Sequence, residues 1–229
     1  MEVTEIVDLS LPVDDSTVVY PGDPRPRVHV HSTVARDGFN LLRLELGSQT
    51  GTHVDAPYHF DDTGARIDEV DLRRFAGPPV VVDATGMPPR GRITPAHLAP
   101  VRDRLRPGVV VLLRTGWTRH YGTPTWFAHP FLDAAACREL LAAGVRTIGV
   151  DAVNLDETPD DDHPGEGYPC HHLVAAVDGI IAENLTDLDR VEALVDPLVC
   201  LFPVRLSGAD GAPVRAVAMS LRVGAGSGS

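Results

Sequence analysis

The sequence predicts an α/β protein built on a mixed sheet, and three observations carry that reading. The early part has strand-like runs with no helical period between them. The central part alternates helix-like segments with short apolar runs. And 21 Gly and 20 Pro in 229 residues divide the chain into short elements. Strands that follow one another directly pair antiparallel, whereas a strand–helix–strand alternation makes neighbours parallel, so a purely parallel, doubly wound sheet is not expected. No GxGxxG or P-loop pattern is present, which argues against a nucleotide cofactor.

Taken in order, residues 5–11 read as the first strand. Tyr20-Pro21-Gly22-Asp23-Pro24 is a turn, because proline fixes φ and glycine is free to take positive φ. Residues 28–34 and 40–49 read as a strand pair. In the second, Leu42, Leu44 and Leu46 alternate with Arg43 and Glu45, a period of two that implies one buried face. Residues 79–84 are an apolar run of the central-strand kind. Thr94 offers a capping hydroxyl and Pro95 a first helical position, for a helix reaching Leu105 and stopping before Pro107-Gly108. Residues 109–114 are another buried strand. Asp133 caps a helix running to Ala143, with Gly144 as its left-handed stop. A strand over 147–153, an acidic loop over 154–169, a short helix over 171–177, a turn at Asp178-Gly179 and a strand over 180–185 follow. Residues 198–206 and 214–223 are expected to finish the sheet. One domain over 1–223 and a flexible Gly/Ser tail over 224–229 are expected.

Composition excludes several functions. Twenty Lys+Arg against 32 Asp+Glu leave a net charge of −12, and all twenty cations are Arg. Schiff-base chemistry and a phosphate-binding lysine are therefore ruled out. An acidic chain with pI near 5.1 also argues against nucleic acid or an anionic membrane as partner, since both call for basic patches. A hydrophobic content of 43% is too high for disorder. Cys137, Cys170 and Cys200 are odd in number, irregularly spaced and without a CxxC, so neither a disulfide framework nor a zinc ribbon is indicated. The acidic start carries no signal-peptide pattern, and no apolar run approaches the roughly 18 residues of a membrane helix. A cytoplasmic setting and a small-molecule substrate are expected.

The stretch richest in chemistry is Gln49-Thr50-Gly51-Thr52-His53-Val54-Asp55-Ala56-Pro57-Tyr58-His59-Phe60. In an extended segment His53 and Asp55 leave the same face, with Gln49 and Gly51 in the same parity. Pro57 breaks the strand, so His59 can return toward the same point. Two imidazoles and a carboxylate this close make a metal half-site, although a His-rich loop is as readily a solvated surface. A second cluster joins Cys170-His171-His172 to Glu183. Glu183 sits in the apolar run Gly179-Ile180-Ile181-Ala182-Glu183-Asn184-Leu185. There a carboxylate must be paired, protonated or metal-bound, unless the strand is an edge in water. Asp160, Asp161 and Asp162 belong to a solvated loop or to a lid. No GxSxG elbow supports a serine nucleophile, and Cys170 and His171, being adjacent, rarely aim at one another.

The first stretch resembles the HxGTHxDxPxH signature of the cyclase-like metal-dependent hydrolases, which include kynurenine formamidases, isatin hydrolases and proteins named polyketide cyclases. Further landmarks follow in the same order: Val19-Tyr20-Pro21-Gly22-Asp23, Leu113-Arg114-Thr115-Gly116-Trp117, Ile148-Gly149-Val150-Asp151, Glu183-Asn184-Leu185 with Leu188, and Asp210-Gly211-Ala212-Pro213-Val214-Arg215. The resemblance implies a barrel-like mixed sheet with flanking helices, the swivelling β/β/α fold of that family. It implies metal-ligand positions at His53, Asp55, His171 and Glu183, with His172 ranked behind His171. It places the acid/base at His59 and a substrate contact at Tyr20, where formamidases carry Trp. Gln49 replaces the first His of the signature and offers a neutral, weaker oxygen donor, which favours one metal over two. The implied cofactor is a divalent ion, Zn²⁺ or Mn²⁺, and the implied assembly a homodimer or higher homo-oligomer. The implied activity is metal-dependent hydrolysis of an amide, lactam or ester-like bond in a small cyclic or aryl substrate. A metal-dependent cyclase or lyase and a non-catalytic small-molecule binder are the alternatives.

Overall fold

Alternation along the buried strands sorts their side chains onto two faces, and each face meets a different layer. The computed structural model describes residues 2–222; the expected tail, 224–229, lies outside the described residues. In chain order the elements are β1 (Glu2–Asp8), β2 (Arg27–Ser32), α1 (Val34–Asp37), β3 (Leu41–Glu45), β4 (His53–Asp55), β5 (Ala76–Gly77), β6 (Pro79–Asp83), β7 (Arg92–Ile93), α2 (Pro95–Leu98), β8 (Val110–Arg114), β9 (Phe131–Leu132), α3 (Ala134–Ala142), β10 (Thr147–Val150), α4 (Pro169–Ala175), β11 (Ile180–Glu183), β12 (Pro197–Cys200), β13 (Gly211–Pro213) and β14 (Val217–Arg222).

Six strands form the central sheet in the order β13-β4-β11-β10-β8-β6. The four strands β6, β8, β10 and β11 are parallel, while β4 runs antiparallel to both β11 and β13. On one face Val80, Val82, Val111, Leu113, Ile148 and Ile181 pack against Leu98 of α2, Ala136, Cys137 and Leu140 of α3, and Cys170 and Val174 of α4. On the other face Val81, Val110, Leu112, Ile180, Ala182 and Val54 meet Val7, Val199 and Ala218 from a second sheet, ordered β1-β14-β12-β5. The result is a helix layer, a mixed sheet and a second sheet, which is the mixed α/β class the sequence predicts.

Several elements depart from their sequence-based boundaries, each for a physical reason. The helix begun at Thr94-Pro95 turns into a 3₁₀ segment over Ala99–Arg104, because Pro100 removes the amide that an α-helix needs there. The run expected to be a central strand, β6, is buried but pairs only with β8, at the sheet's edge. The last two expected strands do not finish the central sheet. They supply β12 and β14 of the second one. The strand pair β2–β3 forms as expected, yet its apolar face is open: Val30, Leu42 and Leu44 are 66%, 53% and 56% exposed. Period two reports an apolar face, and nothing in the single chain covers this one.

Candidate metal centre

The register of β4 on β11 builds the site. His53 and Asp55 are two apart on β4 and leave one face, and Glu183 on β11 stands directly opposite His53. Just before β4 the chain turns through Gly51 at φ +68°, where a Cβ would stand 2.8 Å from a Val13 methyl carbon; only glycine meets both demands. Helix α4 delivers His171 from the other side. Its neighbour His172, about 100° further round the helix, is exposed.

His53, Asp55 and Glu183 each offer one donor atom within 4.8 Å of the other two. His53 Nε2 lies 3.3 Å from Asp55 Oδ1 and 3.7 Å from Glu183 Oε2. His171 Nε2 lies 3.5 Å from Asp55 Oδ2 and 3.3 Å from Glu183 Oε1. All four groups are buried. Both imidazoles turn Nε2 inward because Nδ1 is engaged behind: His53 Nδ1 with the Gly51 carbonyl at 2.8 Å, and His171 Nδ1 with the Asp156 carboxylate at 2.7 Å. Asp156 is fixed in turn by the amides of Cys170 and His171, at 2.9 and 3.0 Å. Glu183 Oε1 accepts from the Leu155 amide at 2.7 Å. Both carboxylate oxygens of Asp55 are buried without a hydrogen-bond partner.

Such an arrangement is costly without a positive charge at its centre. Burial alone would lower the pKa of His53, but the close carboxylate of Asp55, with Glu183 behind, reverses that and pushes it up to about 9. His171 is likewise raised against the effect of burial, by Asp156, Asp55 and Glu183. For Asp55 burial works upward, and the two imidazoles prevail and hold it low. The protein's own groups thus gather protons where a cation would serve. Inward Nε2 atoms, anchored Nδ1 atoms and an orphaned carboxylate fit a divalent ion with mixed N/O ligation.

Beside this cluster lies a cavity of about 240 Å³, whose wall includes Tyr20, Asp23, His59, Phe60, Asn154 and Tyr168. Tyr20 and Tyr168 share a hydroxyl–hydroxyl bond of 2.8 Å across it. His59 ends the 3₁₀ turn Pro57–His59, which Pro57 starts, and its ring centroid lies 6.4 Å from that of His171. Its Nδ1 lies 2.9 Å from Asp210 Oδ2. Gln49 Nε2 donates to Asp210 Oδ2 at 2.7 Å, while its Oε1 is buried without a hydrogen-bond partner.

Sequence reasoning missed Asp156 and Tyr168, and it read Asp23 and Asp210 only as landmarks. Asp156 lies in the acidic loop and carried no distinguishing signal. Residues 154–156 are buried behind His171, whereas Asp160, Asp161 and Asp162 are exposed. Arg90 ties this loop down through Glu157 at 3.0 Å, the Thr158 carbonyl at 2.8 Å and Asp160. Tyr168 adopts φ +58° immediately before Pro169, a strained conformation that aims its ring at the cavity. Cys170 is a buried core residue whose thiol contacts the Leu132 carbonyl.

The profile of a family described as Putative cyclase matches residues 7–157. A kynurenine formamidase of Bacillus cytotoxicus is 30% identical over 95% of this chain and 98% of its own length. The structure of an isatin hydrolase bound to the product analogue thioisatinate shares the fold, with a TM-score of 0.85 at 21% identity over 95% of this chain and 93% of that one. A potential metal-dependent hydrolase with cyclase activity matches with a TM-score of 0.75 at 25% identity, over 96% of this chain and 99% of that one.

Proposed function

We propose that this chain, which belongs to the Putative cyclase family, is a metal-dependent hydrolase cleaving an amide, lactam or ester-like bond of a small cyclic or aryl molecule. The observation that carries the reading is Asp55, buried between His53 and His171 with both carboxylate oxygens unpartnered. A divalent ion held by His53, Asp55, His171 and Glu183 would answer it, and two imidazoles with two carboxylates and no thiolate suit Zn²⁺ or Mn²⁺. When bound, the ion supplies Lewis acidity, making a water more acidic and a substrate carbonyl more electrophilic.

The chain's own residues do the rest. His59 takes the proton of the attacking water and returns it to the leaving nitrogen or oxygen; burial lowers its pKa, but the Asp210 hydrogen bond and the Asp55 charge prevail and raise it above the usual histidine value. Tyr20, Phe60 and Tyr168 offer aromatic surface to a ring. A cavity of about 240 Å³ suits a small molecule. Kinship with a kynurenine formamidase, and the fold shared with an isatin hydrolase, support an aryl amide or lactam as substrate.

A second reading, a cyclase or lyase of natural-product biosynthesis at the same centre, is favoured by the likeness to a potential metal-dependent hydrolase with cyclase activity. Gln49, the one departure from the signature's His and Asp positions, motivates a third: a non-catalytic binder. The deciding experiment combines elemental analysis with turnover of an N-formyl arylamine, isatin and a simple cyclic amide. Hydrolysis of any of them, lost in His59→Ala, supports the first reading. Metal without hydrolysis favours the cyclase, and ligand binding indifferent to His59→Ala favours the binder.

The setting we propose is cytoplasmic, with small molecules as partners and neither nucleic acid nor membrane. Three free cysteines, two of them buried, accord with a reducing compartment. Among the described residues no helix is long and apolar enough to cross a membrane. The open apolar face of β2–β3 supports a homodimer or higher homo-oligomer.

A further inference from the structure

Two donors converge on a single oxygen at the rim of the metal centre. Asp210 Oδ2 accepts from Gln49 Nε2 at 2.7 Å and lies 2.9 Å from His59 Nδ1. The carboxylate is itself fixed to the ligand strand. The Asp210 carbonyl accepts from the Ala56 amide at 2.8 Å, and the next residue, Gly211, pairs with Asp55. Gly211 also shapes the contact: a Cβ there would meet Gln49 Nε2 at 2.7 Å and Oε1 at 2.8 Å, so the amide packs close against bare backbone.

The donor and acceptor roles follow from chemistry. An ionised carboxylate only accepts, so the amide nitrogen of Gln49 must face it and the proton on His59 must sit on Nδ1. That leaves His59 Nε2, which has no hydrogen-bond partner among the described residues, as the basic nitrogen of a ring that lines the cavity. Without Asp210 the imidazole could exchange tautomers or swing. Without Gln49 the carboxylate would lose the donor that holds it in line.

We propose that Asp210 and Gln49 are positioning residues for His59, holding its imidazole as the Nδ1–H tautomer with Nε2 presented to the cavity. The functional half of the claim rests on His59 carrying the proton, as proposed above; the structural half does not. Where an aspartate orients a catalytic histidine, its amide replacement has cost up to about 10⁴-fold in kcat by favouring the wrong tautomer.

The test uses the zinc-loaded protein with ¹⁵N-labelled histidine, and the His59 signals are assigned by their loss in His59→Asn. The native protein is expected to give an Nδ1–H, bare-Nε2 pattern at pH values above the His59 titration. Asp210→Asn, close to isosteric, is expected to mix or invert that pattern and to lower kcat at least about tenfold with KM little changed. Gln49→Ala is expected to mix the His59 pattern and to lower kcat per bound metal in the same sense. An unchanged His59 pattern with native kcat in Gln49→Ala would overturn its assignment. An unchanged His59 pattern with native kcat in Asp210→Asn would overturn the role of Asp210. If Asp210→Asn shifts the tautomer while His59→Asn itself turns over normally, positioning stands and the acid/base reading of His59 falls.

Discussion

His53 and Glu183 face each other across the antiparallel register of β4 and β11, and their side chains meet with Nε2 3.7 Å from Oε2. The two residues are far apart in sequence, and one backbone pairing decides that they converge. A slip of one residue would turn Glu183 to the opposite face and dismantle the site, so the apolar neighbours Ile181 and Ala182, each committed to its own core cluster, also hold the metal centre in register.

Glu183→Gln keeps an acceptor for the Leu155 amide but removes a charge from the cluster. The expected result is a folded protein that binds its ion at least about tenfold more weakly, since losing even an outer-shell partner of a metal ligand costs that much. Competition with a chelator measures it; native affinity would remove Glu183 from the ligand set.

Ion binding should strengthen as pH rises. In the absence of a cation His53 is pushed up to about 9, so its Nε2 is protonated at neutral pH and the ion must displace that proton. The sign is fixed by the raised value: below about 9 the proton competes, and above it the competition ends. Calorimetry in buffers of different ionisation enthalpy should report proton release near neutral pH. An affinity flat from about pH 6 to 9 would contradict the geometry.

Asp156→Ala removes the acceptor that holds His171 Nδ1 and leaves the Cys170 and His171 amides without their partner. Metal affinity is expected to fall about 10–100-fold, although Asp156 is no ligand. Equal loss of metal and of thermal stability would mean that the side chain serves α4 alone. A metal loss exceeding the stability loss is the expected outcome.

The elements that carry the ligands were legible because their signals are local. Alternation, Pro57 and the isolated carboxylate in an apolar run mark His53, Asp55, His59 and Glu183 as candidates, and the family resemblance assigns them their roles. Asp156, Tyr168 and the role of Asp210 were not legible. Each acts through a partner 15 to 151 residues away, and an aspartate in an acidic loop looks alike whether it faces water or a buried imidazole. Sheet membership of β12 and β14 was hidden for a related reason. Hydrophobic period says that a strand has an inner face, but not which sheet provides the cover.

The same limit bears on β2–β3. Cross-strand pairing puts Val28 opposite Leu44 and Val30 opposite Leu42, so these four side chains share one face, while Arg27, Glu45, His29 and Arg43 share the other. An amphipathic ribbon whose apolar side is exposed is poorly suited to a lone chain, and a second copy offering the same face would bury both. Light scattering should therefore find a dimer or larger assembly. The double substitution Leu42→Glu with Leu44→Glu should shift it toward monomer by setting like charges face to face, with circular dichroism unchanged, because both leucines are more than half exposed within the chain. A native protein that is monomeric at assay concentration would leave this ribbon without the partner proposed for it.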